Sequence, residues 1–246
     1  MNSSALVRLV SRFAFQLAAA LLAYGLWHTS GLRELTAGEA EGLNVVILLI
    51  GSIYAVIFAF VIFVIWGQFT DVENYMMREC KSLHELLRFS AFLGDDAART
   101  IRRAVADYTQ RVVKSEWPAL AERRRDKATE QMFSELLDAV LLAEKDGIAF
   151  HQVVEIAREA AGNRDERLTK SMTQIPATLV HLVHAMAIAL VALVFFYPFH
   201  RWTTGLCCFA AVAVILFLAN LVMTDTDNPF QGVYNVSPKP FADLKP

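Results

Sequence analysis

The residues best suited to chemistry stand where a chain seldom places them. His181 and His184 lie three apart in an otherwise apolar run, and Asn220 interrupts a second such run. Polar groups at membrane depth are a functional hypothesis by default, here a proton-sensitive gate or a metal site. The competing reading, and the preferred one, is a His and an Asn near helix ends that bond to each other across a bundle. Two imidazoles without a third ligand make a poor metal site. Asp225 and Asp227, followed by Asn228, offer too few donors to hold a cation, so docking of the tail is the expectation there, with no metal and no cofactor. Arg164 and Arg167, flanking Asp165 and Glu166, read as a surface ion-pair cluster. The run Glu122-Arg123-Arg124-Arg125-Asp126-Lys127 reads as a solvated helix face, the sharper alternative being an ion-attracting vestibule or an anionic-lipid contact. No nucleophile–base arrangement, phosphate loop or zinc spacing is present, so an enzyme is not the reading.

These residues need elements to hold them, and composition points to a membrane. Of the 246 residues 55% are hydrophobic and only 20% charged, below the quarter usual for soluble domains. Mean hydropathy is +0.38. A net charge of -2 argues against nucleic acid as a partner. The three cysteines, Cys80, Cys207 and Cys208, have no metal or disulfide spacing, which suits a reducing compartment.

Four apolar segments are predicted to span the bilayer. Leu43 to Trp66 carries no Asp, Glu, Lys, Arg or His in 24 residues, enough to cross about 30 Å of hydrocarbon. Ala177 to Phe199 and Thr203 to Met223 form a hairpin joined at His200-Arg201-Trp202. The first segment is shorter, but Arg8 and Arg12 can snorkel, so that a span begins near Leu6 and ends at Trp27. A signal peptide would also start this way, yet no small-x-small cleavage site follows Trp27. The expected plan is all-α: a membrane pair in 1–69 (spans about 6–27 and 43–66), a helical domain in 70–175, a membrane hairpin in 176–223 (spans about 177–199 and 203–223) and an extended tail in 224–246.

The middle domain reads as helices throughout. Val72, Tyr75, Met76, Leu83, Leu86 and Leu87 recur at helical spacing, and Gly94-Asp95-Asp96 supplies a stop and a new start. Ala97, Ile101, Ala104, Val105, Tyr108 and Val112 share the next face. Pro118 marks a bend or a first helical turn. A further stripe runs through Phe133, Leu136, Leu137 and Val140 to a stop at Gly147. The last helix is expected to begin near Phe150 and to run through Pro176, kinked there, into the third span. Of the 36 charged residues in 70–175, 17 are Lys or Arg. The positive-inside rule then puts this domain and both termini, with Arg8, Arg12, Lys239 and Lys245, on the cytoplasmic side of a cell (inner) membrane.

Two spans, about a hundred helical residues, two more spans and a tail is a plan that resembles the bestrophins. The tail Asp225-Thr226-Asp227-Asn228-Pro229-Phe230-Gln231-Gly232, with Val236-Ser237-Pro238-Lys239-Pro240-Phe241, is similar to the bacterial bestrophin-like family, as are Glu116-Trp117 and the Arg-x-x-Arg of Arg164 and Arg167. The resemblance implies a homo-oligomeric channel, since bestrophins are pentamers with a central pore lined by the second span, and it implies membrane lipid and permeating ions as partners. The tail lacks the acidic run of the calcium clasp, and Gln231 separates Phe230 from Gly232, so calcium gating is not carried over.

The second span also offers a pore face on its own residues. At 100° per residue Asn44, Gly51, Ala55, Phe58 and Ile62 fall near one line. Rings of such faces would make a wide, polar outer mouth and an apolar neck at Phe58 and Ile62, of the kind that gates by dewetting. Gly51, Ala55 and Ala59 also form a small-xxx-small ridge, which favours close helix packing. The expected function is passive, anion-type conduction through an oligomeric pore. The alternative is a non-conducting scaffold or signalling adaptor working through 70–175. An intramembrane metal or proton transporter would need His181 and His184 to face an aqueous cavity.

Overall fold

The computed structural model describes residues 3–30, 34–143, 147–232 and 235–244; the side chains of 3–9 and of 34 and 35 lie outside the described set, as do Arg33, Tyr234 and Lys245. Every element among the described residues is helical. In order these are α1 (Ser3–Thr29), α2 (Glu34–Ala37), α3 (Ala40–Ser90), a 3-10 turn (Ala91–Leu93), α4 (Asp95–Arg111), a π-helical segment (Val112–Glu116), α5 (Trp117–Ala121), α6 (Lys127–Leu142), α7 (Ile148–Met172), α8 (Ala177–Phe196), α9 (Trp202–Thr226) and α10 (Lys239–Ala242). Four helical stretches, one each including α1, α3, α8 and α9, are long and apolar enough to cross a membrane. The chain divides into two compact units: a membrane unit of 1–65 with 175–227, and a helical unit of 66–174 with 228–246.

In the membrane unit α1 lies against α9, with the rings of Phe13 and Phe217 stacked at 3.6 Å. Tyr24 is buried, stacked on Phe209 at 5.7 Å and edge-on to Phe195 at 5.7 Å. The ring fits because position 205 has no side chain: a Cβ there would sit 1.8 Å from the Tyr24 hydroxyl and 2.9 Å from Phe199 Cδ2. Held on two faces, the ring cannot swing aside. Gly205→Ala is therefore expected to cost about 1–3 kcal/mol by overpacking, seen as a lower thermal-unfolding midpoint in detergent. Adding Tyr24→Phe, which removes the nearest atom, should recover part of that loss.

A second apolar cluster joins Tyr54, Val61 and Ile65 of α3 to Val183, Ala187 and Leu190 of α8 and Leu216 and Met223 of α9. The helix expected to continue through Pro176 does not. The chain leaves α7 at Thr173, which is extended (ψ 135°), and α8 begins after Pro176. Proline lacks an N–H and disfavours helical backbone in the residue before it, here Ile175, so the chain breaks rather than kinks.

The helical unit has one core, with Val72, Met76, Leu83 and Leu86 of α3, Ile101, Val105 and Tyr108 of α4, Phe133, Leu136 and Val140 of α6, and Val153, Ala157 and Ala160 of α7. Gly94, at φ 100°, makes the reversal from which α4 starts, and Asp95 and Asp96 in its first turn complement the helix dipole. Between α4 and α5 the helix widens, and the Trp117 N–H donates five residues back to the Val112 carbonyl. Pro118 accounts for this, because its ring crowds the carbonyl four residues earlier, and a wider turn relieves the clash. The run 122–126, expected on a helix face, instead forms the turn between α5 and α6. Its exposed pairs Glu122–Arg124 and Arg125–Glu130 add little stability.

Candidate functional site

The expected pore stripe lies on the part of α3 that belongs to the membrane unit. Asn44 and Ala55 are exposed, while Gly51 lies 3.9 Å, measured from its ideal Cβ, from Leu190 of α8. Phe58 and Ile62 are half-buried against the apolar cluster, with the Phe58 ring stacked on Tyr54 at 5.6 Å. Thus Asn44 and Ala55 are uncovered in the single chain, whereas Gly51, Phe58 and Ile62 lean on their own subunit.

The intramembrane polar residues do not bond to one another as expected. Each turns to its own helix: Nδ1 of His184 lies 2.7 Å from the Val180 carbonyl, and Nδ2 of Asn220 donates to the Leu216 carbonyl at 2.8 Å. His184 and Asn220 line one groove, and His181 is exposed outside it. Among the described residues no three His, Cys, Asp or Glu gather as ligands for a metal.

The main correction concerns Arg164 and Arg167, expected at the surface. Both are buried, Arg167 completely, together with Glu79, Tyr108 and Glu116. Arg164 makes a fork to Glu116, with Nη2 to Oε2 at 2.7 Å and Nη1 to Oε1 at 3.1 Å, and Nη1 also donates to the Tyr108 hydroxyl at 2.7 Å. Arg167 bridges both carboxylates, Nε to Glu79 Oε2 and Nη2 to Glu116 Oε1, each at 2.7 Å. Tyr108 donates its hydroxyl to Glu79. Two guanidiniums against two carboxylates leave the cluster neutral, which is what allows four charges to sit in an apolar core. Aromatic faces complete the enclosure. Arg164 lies 5.2 Å from the rings of Tyr108 and Phe133, and Arg167 lies 5.7 Å from Trp117 and 5.3 Å from Phe241.

Burial alone would push the Glu116 carboxyl up, but Arg167 and Arg164 outweigh it and hold the group below the usual carboxylate range. A lowered carboxyl contributes stability that is complete above its unfolded pKa of about 4.3 and is lost as pH falls through the folded value. Acid titration of thermal stability should therefore stay flat down to about pH 4.3 and steepen below it, with Glu116→Gln removing part of the slope. Burial, aided by the neighbouring Glu79 charge, pushes the Cys80 thiol up to about 12, so this cysteine is inert.

The tail closes over the same core. Trp117 Nε1 donates to the Val236 carbonyl at 3.0 Å, and its ring meets Phe230 at 5.0 Å and Phe241 at 5.9 Å. Asn228 accepts from the Phe230 N–H at 3.0 Å and donates to the Ala121 carbonyl at 2.9 Å. Pro229 is buried, and its carbonyl accepts from the Val236 N–H at 2.8 Å. Gly232, at φ 95°, supplies the turn that brings the chain back. Gln231, the departure from the bestrophin tail, adds a second donor to the Ala121 carbonyl. Asp225 and Asp227 are half-buried at the end of α9.

Tyr108 was read only as a member of an apolar face, and Glu79 was not singled out in the sequence, although a signal existed for it. Positions 72, 76, 79, 83 and 86 repeat in steps of four and three, the seam of a packed helix, and Glu79 occupies one of them. Positions 157, 160, 164, 167 and 171 do the same for the two arginines. A charge in such a seam calls for a buried partner of opposite sign.

The fold and its sequence together define a class. Residues 13–241 match the bestrophin-like domain, and the chain belongs to the bestrophin-like family. Two crystal structures of a bacterial bestrophin homologue from Klebsiella pneumoniae share the fold. Their TM-scores are 0.72 and 0.71 at 12% identity, covering 94% of this chain in both cases and 95% and 94% of theirs. A crystal structure described as that of a membrane protein gives a TM-score of 0.70 at 13% identity over 95% of both chains. No curated protein matches the sequence.

Proposed function

We propose that the chain is one subunit of a homo-oligomeric, pentamer-type channel that conducts anions passively through a central pore lined by α3. Family membership over 13–241 carries the reading, and the stripe Asn44, Gly51, Ala55, Phe58 and Ile62 is its pore-lining face. An outer half that is small or polar and a bulky apolar inner half suit a pore that narrows to a dewetting neck. The stripe bears no charge, so anion preference rests on the family alone. The Lys and Arg bias supports a topology in which the helical unit and both termini are cytoplasmic. The tail motif Asp225, Asp227, Asn228, Pro229, Phe230 and Gly232 serves to dock the C-terminal segment.

The test is ion flux from liposomes containing the purified protein, with chloride and with potassium gradients. Protein-dependent chloride flux is expected. A well-formed oligomer that passes neither ion overturns the reading. A second reading, a non-conducting scaffold, is favoured by the exposure of Phe92, Leu142 and Ile148 on the helical unit. Silent liposomes would make that surface the object of study.

A further inference from the structure

The arginine-rich turn between α5 and α6 is tied to the first residues that follow α9. Ala121, the last residue of α5, accepts from Asn228 Nδ2 at 2.9 Å and from the Gln231 amide. Asn228 is the second residue beyond the end of α9 at Thr226. From Met223, where the apolar run ends, to Thr226 is about 4.5 Å of helix, and two further residues reach at most about 7 Å. Asn228 therefore lies no more than about 12 Å from the hydrocarbon edge, and lipid head groups fill roughly the first 5–7 Å of that distance. We propose that Arg124, Arg125 and Lys127 hold the phosphate of an anionic lipid, so that this turn rests on the membrane surface.

The backbone keeps these side chains beside Ala121. The Arg123 N–H donates to the Leu120 carbonyl and the Arg124 N–H to the Ala119 carbonyl, each at 2.9 Å, with Arg123 left-handed at φ 56°. Glycine is the usual residue at such a helix end, and an arginine there bears strain that glycine would not. Arg124, Arg125 and Lys127 are exposed. Their partners within the chain are weak competitors. Arg124 pairs with Glu122 and Arg125 with Glu130, and these four side chains are 39% to 66% exposed, so the pairs hold loosely. Asp126 is turned inwards, accepting from Thr129 Oγ1 at 2.7 Å and lying 3.4 Å from Arg111 Nε. Asp225 and Asp227 are half-buried and engaged elsewhere. A phosphate offers the two guanidiniums paired oxygens that match their fork. A membrane lipid is the source, because the turn lies within a Debye length of the head groups, where an anionic leaflet concentrates charge. The inference stands whether or not the chain conducts.

The experiment titrates the detergent-solubilised full-length oligomer with phosphatidylglycerol and with phosphatidylcholine of the same acyl chains. Native mass spectrometry counts the bound molecules. One phosphatidylglycerol per subunit is expected, in clear preference to phosphatidylcholine. Arg124→Gln with Arg125→Gln should weaken phosphatidylglycerol about 30-fold, two basic residues at about 1 kcal/mol each, and leave phosphatidylcholine unchanged. Glu122→Gln, which frees Arg124 from its pair, should tighten phosphatidylglycerol several-fold. Arg102→Gln with Arg103→Gln removes as much exposed charge from α4 and should change nothing. Equal binding of the two lipids by the native chain overturns the proposal, as does an undiminished preference in the Arg124, Arg125 variant. So does an equal loss in the α4 variant, which would reduce the effect to net charge. Millimolar inorganic phosphate that displaces the bound phosphatidylglycerol would assign the turn to a soluble anion and overturn it too.

Discussion

Replacing Arg167 by methionine is expected to cost about 3–5 kcal/mol, the penalty of stranding buried charge. The side chain is wholly enclosed and bonds to both carboxylates of its cluster. Without it, Glu79 keeps only the Tyr108 hydroxyl, and Glu116 keeps only Arg164. The net charge of the site goes from zero to minus one among buried groups, where screening is weak. The measurement is the thermal midpoint of the solubilised full-length protein, read beside its oligomer peak on size exclusion. Charge balance supplies the control. Glu79→Gln in the same chain restores neutrality and should recover much of the loss, whereas Glu79→Gln alone leaves an excess guanidinium and should also destabilise. Coupling of this sign in a double-mutant cycle separates lost charge compensation from lost packing. An unshifted midpoint in Arg167→Met would mean that the cluster holds nothing together.

Phe58→Ala and Ile62→Ala are each expected to raise liposome flux several-fold, and together more than either alone. A hydrophobic constriction opposes ions mainly by excluding water, and shortening its side chains widens and wets it. Both residues touch the subunit's own apolar cluster, so some loss of stability accompanies the gain in flux. The two effects are distinguishable, since Val61→Ala removes a fully buried side chain of the same cluster without touching the stripe. If Val61→Ala raises flux as much, the neck assignment fails and loosened packing is the cause. Unchanged flux in both stripe variants, with assembly intact, also removes it.

The spans and the helical character of the middle domain were legible because they rest on long, uninterrupted patterns. Twenty-four residues without a charge, or apolar residues in steps of three and four, survive a misjudged boundary. The ionic cluster was not legible as a site, since its members come from four elements and the arginines were judged by the charges beside them in sequence. Arg164 and Arg167 neighbour Asp165 and Glu166, which made a surface ion-pair reading natural, although their partners are in fact 48 to 88 residues away. The widened turn hid a further link. Tyr108 and Glu116 are eight residues apart, which in an α-helix places them about 80° apart. With one residue absorbed by the π segment the separation falls to about 20°, and both can meet Arg164. Pro118, read as a bend or a first helical turn, does stand in the first turn of α5, and its further consequence is a change of helical phase. His184 and Asn220 were expected to bond to each other, and each bonds instead to its own helix, since a carbonyl one turn back is always within reach.

The docked tail also sets an order of events during synthesis. Trp117 finds its acceptor in Val236, and Arg167 lies against the ring of Phe241, so the interior of the helical unit is finished by residues made after α8 and α9. At 5–20 residues per second, about 3–13 s separate the emergence of 174 from that of 241, and α8 and α9 are made in between. For that interval two arginines and two glutamates wait under an incomplete cover while the ribosome produces hydrophobic spans. A nascent chain that stalled or was clipped before residue 228 would carry an open, charged core, a ready mark by which quality control could tell it from a chain whose tail has docked.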